Sequence, residues 1–301
     1  MRDHAATRAM IPLPTADIRQ AVRLALREDL ALGDATTSAL FSGPCPARGV
    51  VVARQTLVAA GIAAAQETFR AVDSSLRIVR AVKEGTKLAP GNVLLTIEGD
   101  GRSLLMGERV ALNFLQHLSG IATLAAQFRH AVRGYPVKIV DTRKTVPGLR
   151  ALEKWAVRLG GGWNHRRSLG DGILIKDNHL ALLRTRGLNI ADACRLARER
   201  SPHGLRIIVE VESLKQIREA LDGAADVILL DNMSPSTVRR AVNLIKGRAL
   251  VEVSGGITLE NVREMAAAGA NFISVGALTH SAPAAEISMD ILPLGNRRRT
   301  A

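Results

Sequence analysis

The stretch VDTRKTVPGLR, residues 140–150, runs from a β-branched apolar segment (Val137, Ile139, Val140) straight into Asp141, Arg143 and Lys144. Two adjacent cations at a strand end suit an anion, and they differ in kind. Arginine clamps a planar carboxylate with two parallel bonds, whereas lysine offers a compact charge for phosphate. Further cations lie in GGGWNHRR as His165, Arg166 and Arg167, and Lys176 ends the run ILIKDNH. Carboxylates close the next runs. In IVEVES the period-two alternation of a strand puts Glu210 and Glu212 on one face and Val209 and Val211 on the other, and Asp231 ends VILLD. Several cations facing a few carboxylates suit an anionic ligand that brings Mg²⁺ with it. The carboxylates would meet metal and hydroxyls, and the cations phosphate or carboxylate. Each residue alone is weak evidence, because a strand-end lysine is commonly a solvated loop residue and a lone carboxylate is commonly a salt-bridge partner. Recurrence at successive strand ends carries the argument.

Two glycine sites point the same way. VSGGI (253–257) precedes a helical pattern starting at Thr258, and SVGALTHS (274–281) follows the last apolar run. Glycine lets backbone N–H groups approach a phosphate, and a helix start adds partial positive charge.

The elements that must position these groups alternate. From about residue 137, short apolar runs (VKIVDTRK, GILIKDNH, RIIVEVES, DVILLDNMS, ALVEVSGG, NFISVGAL) end in polar or glycine clusters, and helical patterns follow. The later helices are punctuated: Ser213 to Gly223, Ser234 with Pro235 to Gly247, and Thr258 to Gly269. A hydroxyl accepts from orphan N–H groups at a helix start, and glycine takes the left-handed conformation past its end. Strand, helix, strand means right-handed βαβ units and a parallel sheet. The periods alone do not separate an α/β barrel from a doubly wound sheet. Chemistry-bearing residues after nearly every strand favour the barrel, whose active face is the C-terminal one. Residues 1–118 read differently, as an entering amphipathic helix (PTADIRQAVRLALRED) and strands with Gly- and Pro-rich turns, and this predicts a separate α+β domain.

Composition narrows the partners. The formal charge is +13, which admits nucleic acid, an anionic membrane or small anionic substrates. Aromatics are only 3% and none interleave with basic runs, whereas single-strand binders stack bases on aromatics, so no nucleic acid is expected. The tail NRRRTA reads as a solvated end. The opening MRDHAATRAMIPLP has no apolar core of a signal peptide, and the long uncharged run 112–128 is too polar for a membrane helix. Two cysteines, Cys45 and Cys194, make no disulfide framework and no zinc spacing. The expectation is a cytoplasmic protein without a membrane partner.

The blocks DTRKTVPGLRALEKWAVRLGGGWNHR, LGDGILIKDNH, ALNFLQHLSGIAT, VILLDNM, VGALTHSAPA and EDLALGDATT together resemble the quinolinate phosphoribosyltransferases over about residues 17–292. The resemblance implies an N-terminal α/β sandwich (1–118, joined by 284–301) and an open, incomplete α/β barrel (119–283). It implies joining of quinolinate to phosphoribosyl pyrophosphate with Mg²⁺, giving nicotinate mononucleotide, pyrophosphate and CO₂. It also implies a homodimer in which Arg109 reaches across the interface. Arg143, His165, Arg166 and Lys176 would line the quinolinate pocket, and Lys144 and Lys176 would touch phosphoribosyl pyrophosphate. Glu210 and Asp231 would hold ribose hydroxyls or the Mg²⁺-bound end. Ser254, Gly255, Gly256, Gly276 and His280 would cradle the 5′-phosphate. The chain departs from the family at Trp163, where a small residue or His is commoner, and its bulk bears on pocket shape. Two rivals are a paralogue acting on another acid and a non-catalytic ligand sensor. The second is disfavoured because Lys144, Lys176, Glu210 and Asp231 are all present.

Overall fold

The computed structural model describes residues 13–295. Most of the opening stretch judged not to be a signal peptide, and the basic tail 296–301, lie outside the described residues. The chain forms two compact units. Among the described residues, one takes 13–123, Val146–Gly160 and 282–295; the other takes Leu124–Thr145 and Gly161–Ser281.

The first unit is built on a four-stranded antiparallel sheet, ordered Ile287–Pro293, Pro46–Ala53, Val93–Asp100, Arg77–Ala81. One face of the two central strands is apolar by alternation. Val51, Leu95 and Ile97 are fully buried there with Phe69 of helix Ile62–Val72 and Leu104 and Leu115 of helix Gly101–Ala131. The amphipathic helix Thr15–Asp29 buries Ile18, Ala21 and Val22. Residues 146–160 belong to this unit, whereas the linear pattern assigned them to the barrel. Helix Arg150–Leu159 buries Leu152, Trp155, Ala156 and Val157. The carboxylate of its Glu153 lies 2.8 Å from His117 Nε2 and accepts from the Val146 N–H at 3.2 Å. These contacts tie the segment to helix Gly101–Ala131, which no spacing rule reveals.

Gly120 marks how closely that helix meets the returning chain. A Cβ at this position would stand 2.1 Å from the Pro283 carbonyl oxygen. Backbone cannot swing aside as a side chain can, so Gly120→Ala is expected to cost about 3 kcal/mol, the upper end of overpacking. Urea unfolding checks this; an unchanged midpoint would mean the 282–285 segment yields freely.

The second unit is a six-stranded parallel sheet ordered Lys138–Val140, Phe272–Ser274, Leu250–Ser254, Val227–Asp231, Ile207–Val211, Ile173–Ile175. Its two end strands are not paired to each other, so the barrel is open. A single parallel bridge from Val140 to Trp163 adds a stub beyond the first of them. Alternation sorts the strands as expected. Val209, Val211, Ile228, Leu230, Val251 and Val253 are almost wholly buried, while Glu210, Asp231 and Ser254 face the open interior. Helix Leu214–Asp222 starts on Ser213 and ends on Gly223. Helix Pro235–Ile245 starts on Ser234 and stops at left-handed Lys246, one residue before the glycine.

The helix read from Thr258 is the exception, since it spans only Val262–Ala267. Asn261 closes the turn before it. Its side chain accepts from the Thr258 N–H at 2.9 Å and donates to the Gly256 carbonyl at 2.8 Å, so four residues are spent in a turn. No long helix dipole stands behind the Gly255–Gly256 loop.

Candidate active site

A cavity of about 650 Å³ opens among the C-terminal ends of the barrel strands, wholly within the second unit. Arg143, Lys144, His165, Arg166, Lys176, Glu210, Asp231, Ser254, Gly255, Gly256, Gly276 and His280 all line it. Of the site residues expected from sequence, Arg109 alone does not. It is exposed on helix Gly101–Ala131 in the first unit. Trp163 is not a lining residue either; it is 43% exposed, with Lys138 Nζ 4.2 Å above its ring. Arg167 is exposed on the loop, its N–H bonded to Asp171 at 2.6 Å.

The strand register stacks the site in rows. Glu210 pairs with Leu229 and Leu229 with Glu252, while Asp231 pairs with Ser254 one step higher. Lys176 follows the edge strand and its Nζ meets Glu210 Oε2 at 3.0 Å. Asp231 accepts from Asn232 Nδ2 at 2.7 Å, and Asn232 adopts φ +53° so that its N–H can reach the Ser254 carbonyl at 2.9 Å. Asn232 thus braces the Gly255 turn from the neighbouring strand.

Asp141 answers why a buried strand ends in a carboxylate. Fully buried, it accepts from the His165 N–H at 2.8 Å and from Asn164 Nδ2 at 2.6 Å. It therefore fixes the loop that carries His165 and Arg166. Arg166 donates to the Gly172 carbonyl at 3.0 Å. Burial, and then the like charge of Arg143, pull its pKa below the usual guanidinium range. Arg143 is half-buried, and its Nε is closed off from solvent without a hydrogen-bond partner. Buried donors are normally satisfied, so an orphaned one on a side chain that lines the cavity is an exception that asks for a reason. On the other side, Lys144 is exposed. A Cβ on Gly276 would stand 3.0 Å from His280 Nε2 and 3.2 Å from Lys144 Cδ, so the glycine keeps that corner open.

Sequence reasoning missed Glu252, Ser274 and Asn232. The alternation in ALVEVSGG puts Glu252 on the face of Ser254, which is the available signal. Chemically, the cavity offers four cations, Arg143, Lys144, Arg166 and Lys176, against three carboxylates, Glu210, Asp231 and Glu252. It suits a ligand with several anionic groups and hydroxyls.

The description "Quinolinate phosphoribosyl transferase" matches this chain twice, its N-terminal domain over residues 34–119 and its C-terminal domain over 121–290. The probable nicotinate-nucleotide pyrophosphorylase [carboxylating] of Bacillus subtilis is 44% identical over 264 residues, covering 88% of this chain and 90% of that one. The nicotinate-nucleotide pyrophosphorylase [carboxylating] of Mycobacterium leprae is 43% identical over 281 residues, 91% and 96% of the two chains. The crystal structure of NadC from Streptococcus pyogenes superposes with a TM-score of 0.88 at 39% identity, covering 95% of this chain and 100% of that one. With both domains matched and relatives this similar over nearly its whole length, the chain belongs to the quinolinate phosphoribosyltransferase family.

Proposed function

We propose that this protein transfers the phosphoribosyl group of phosphoribosyl pyrophosphate to quinolinate with decarboxylation. The products are nicotinate mononucleotide, pyrophosphate and CO₂, and the step belongs to de novo NAD biosynthesis. The observation that carries this reading is the cation-rich cavity lined by Arg143, Lys144, Arg166 and Lys176, with the Nε of Arg143 left buried and unpartnered. Such a donor is completed by a carboxylate brought in by the ligand. Arg143, His165, Arg166 and Lys176 hold quinolinate. Lys144 and Lys176 meet the pyrophosphate side, and Glu210 and Asp231 meet the ribose hydroxyls. Ser254, Gly255, Gly256, Gly276 and His280 hold the 5′-phosphate. Arg109 is contributed by the second copy in a homodimer, which its exposure on its own helix permits.

The donor set fits Mg²⁺ shared with substrate. No group of three or more metal-ligating side chains occurs among the described residues, and Mg²⁺ typically takes one or two carboxylates plus substrate phosphates. Glu210 and Asp231 would hold it, directly or through water. When bound, it neutralises charge on the leaving pyrophosphate. The chain's own part is positioning and electrostatics. The clamp aligns the pyridine nitrogen with the ribose C1, and the lysines stabilise negative charge as the C–O bond breaks. The quaternised nitrogen then stabilises the electron pair left when CO₂ departs. No helix among the described residues is long and apolar enough to cross a membrane. Two free cysteines, Cys45 and Cys194, support a reducing, cytoplasmic setting.

The test mixes purified protein with quinolinate, phosphoribosyl pyrophosphate and Mg²⁺ and follows nicotinate mononucleotide and CO₂ together. Equal amounts of both, lost on chelation of Mg²⁺, are expected. Turnover only with an acid lacking the 2-carboxylate, and without CO₂, would move the function to a paralogue.

A further inference from the structure

Thr279 is 2% exposed on the short turn that follows the last barrel strand, and the reaction set out above gives it no part. A buried hydroxyl needs a partner, and two carbonyls are within reach. Gly276 stands three residues back, at 3.3 Å, where a threonine in a helical turn commonly bonds. That oxygen is already taken, because the Thr279 and His280 N–H groups donate to it at 3.1 and 3.2 Å and a carbonyl has two lone pairs. The other carbonyl belongs to Lys144, 135 positions away in the chain, and the hydroxyl donates to it at 2.7 Å. Parallel pairing of the two strands behind these loops ends at the Val275 N–H, which donates to the Val140 carbonyl at 2.9 Å. The Thr279 hydroxyl carries the link onward, across the loops themselves. All of these residues lie in the second unit.

The lysine has need of such a hold. Its side chain is exposed, and an ammonium on a flexible four-carbon stem is placed only as well as the backbone at its root. That backbone is fixed at both ends: the Lys144 N–H donates to Thr142 Oγ1 at 3.0 Å, and the carbonyl accepts from Thr279. The Thr142 bond is local to the loop, whereas the Thr279 bond reaches the segment that carries Gly276 and His280. There Lys144 Cδ and His280 Nε2 converge over Gly276, at 3.2 and 3.0 Å from where a Cβ would stand. We infer that the Thr279 hydroxyl is a positioning group for Lys144, tying the lysine to the Gly276–His280 turn and so setting the spacing between the groups that meet the pyrophosphate and the 5′-phosphate of phosphoribosyl pyrophosphate. The inference rests on the reaction proposed above. The two phosphate groups are the ends of one substrate with the ribose between them. Their spacing therefore decides whether C1 is presented to the pyridine nitrogen while the lysine meets the leaving group. Thr279 does not line the cavity, and it acts through Lys144.

Thr279→Val removes the hydroxyl in nearly the same shape and leaves the Lys144 carbonyl without its donor. With quinolinate, phosphoribosyl pyrophosphate and Mg²⁺, its kcat should fall roughly 10- to 100-fold, since a displacement of about an ångström costs up to the larger figure. Quinolinate binding, by calorimetry, should stay within about threefold, because the Arg143 carbonyl is held separately by the Thr145 N–H at 3.0 Å. Thr279→Ser keeps the hydroxyl and should retain kcat within about threefold. The deciding step is a double-mutant cycle. In a Lys144→Met background, Thr279→Val should cost less than about twofold further, because the group it positions is gone. If Thr279→Val does not fold, Thr279→Ala set against Thr279→Ser isolates the hydroxyl in a smaller side chain and enters the same cycle. A fully multiplicative loss in the Lys144→Met background, or a Thr279→Val kcat within about twofold of wild type, overturns the inference and leaves the proposed reaction standing. Thr279→Ser falling as far as Thr279→Val assigns the residue to packing by its methyl group, which overturns it too. A wild-type protein that makes no nicotinate mononucleotide from quinolinate overturns the reaction, and the inference with it.

Discussion

Arg143→Met is expected to lose quinolinate turnover and gain stability at once. Two charge-assisted bonds from a guanidinium, at about 1.5–3 kcal/mol each, amount to roughly a 10²- to 10⁴-fold fall in kcat/KM. The stability gain comes from the ligand-free state. There the buried Nε has no partner, and an unsatisfied buried donor costs about 1–3 kcal/mol. Methionine fills similar space without a donor, and it removes a like charge from beside Arg166, whose acidity Arg143 already disturbs. Thermal unfolding of the ligand-free protein should shift upward by a few degrees, about 2–4 °C per kcal/mol in a chain of this class. A functional residue held at a cost to the fold behaves this way. If activity and melting temperature fall together, Arg143 is instead a structural residue and the clamp is misassigned.

How much of this was legible in the residues depends on whether the cause was local. Strand ends, caps and face alternation are local, so Glu210, Asp231, Lys176 and the Ser213 and Ser234 helix starts stand where their types and spacing put them. The misread features have non-local or competing causes. Helix Arg150–Leu159 has an ordinary amphipathic period, but its burial is decided by contacts such as His117 with Glu153, 36 positions apart. The helix expected from Thr258 begins only at Val262, after a turn in which Asn261 accepts from the Thr258 N–H and donates to the Gly256 carbonyl, a contact back into the glycine loop that the spacing does not show. Glu252 was overlooked because its partner hydroxyl, on Ser274, comes from the neighbouring strand. Asp141 was noticed, but its purpose lies with Asn164 and the His165 amide on a later loop. Family resemblance supplied what spacing could not, namely the identity of the two anions.

The two glycines of VSGGI should behave very differently on substitution, although they are adjacent and both adopt positive φ, +88° at Gly255 and +59° at Gly256. Each alanine meets the left-handed penalty of roughly 1–2 kcal/mol. At Gly256 that is all, because a Cβ there would meet nothing within 4 Å. At Gly255 the added carbon would stand 2.1 Å from Asn232 Oδ1 and 2.9 Å from the Asn232 backbone nitrogen. The side chain can move, but the backbone nitrogen is held by its bond to the Ser254 carbonyl. Relief therefore has to come from the turn itself or from Asn232, which also donates to Asp231. Gly255→Ala should thus disturb the proposed phosphate loop and the proposed ribose carboxylate together. The expected result is a fall of at least about 100-fold in kcat/KM for phosphoribosyl pyrophosphate, against at most about 30-fold for Gly256→Ala, at 1.36 kcal/mol per tenfold. Quinolinate binding, measured separately by calorimetry, should change little in either variant, since the atoms nearest the added carbon at Gly255 all belong to Asn232 and the one at Gly256 meets nothing within 4 Å, so neither presses on Arg143, His165 or Arg166. Similar losses in the two variants would mean that backbone strain alone, and not the contact with Asn232, sets the shape of the loop.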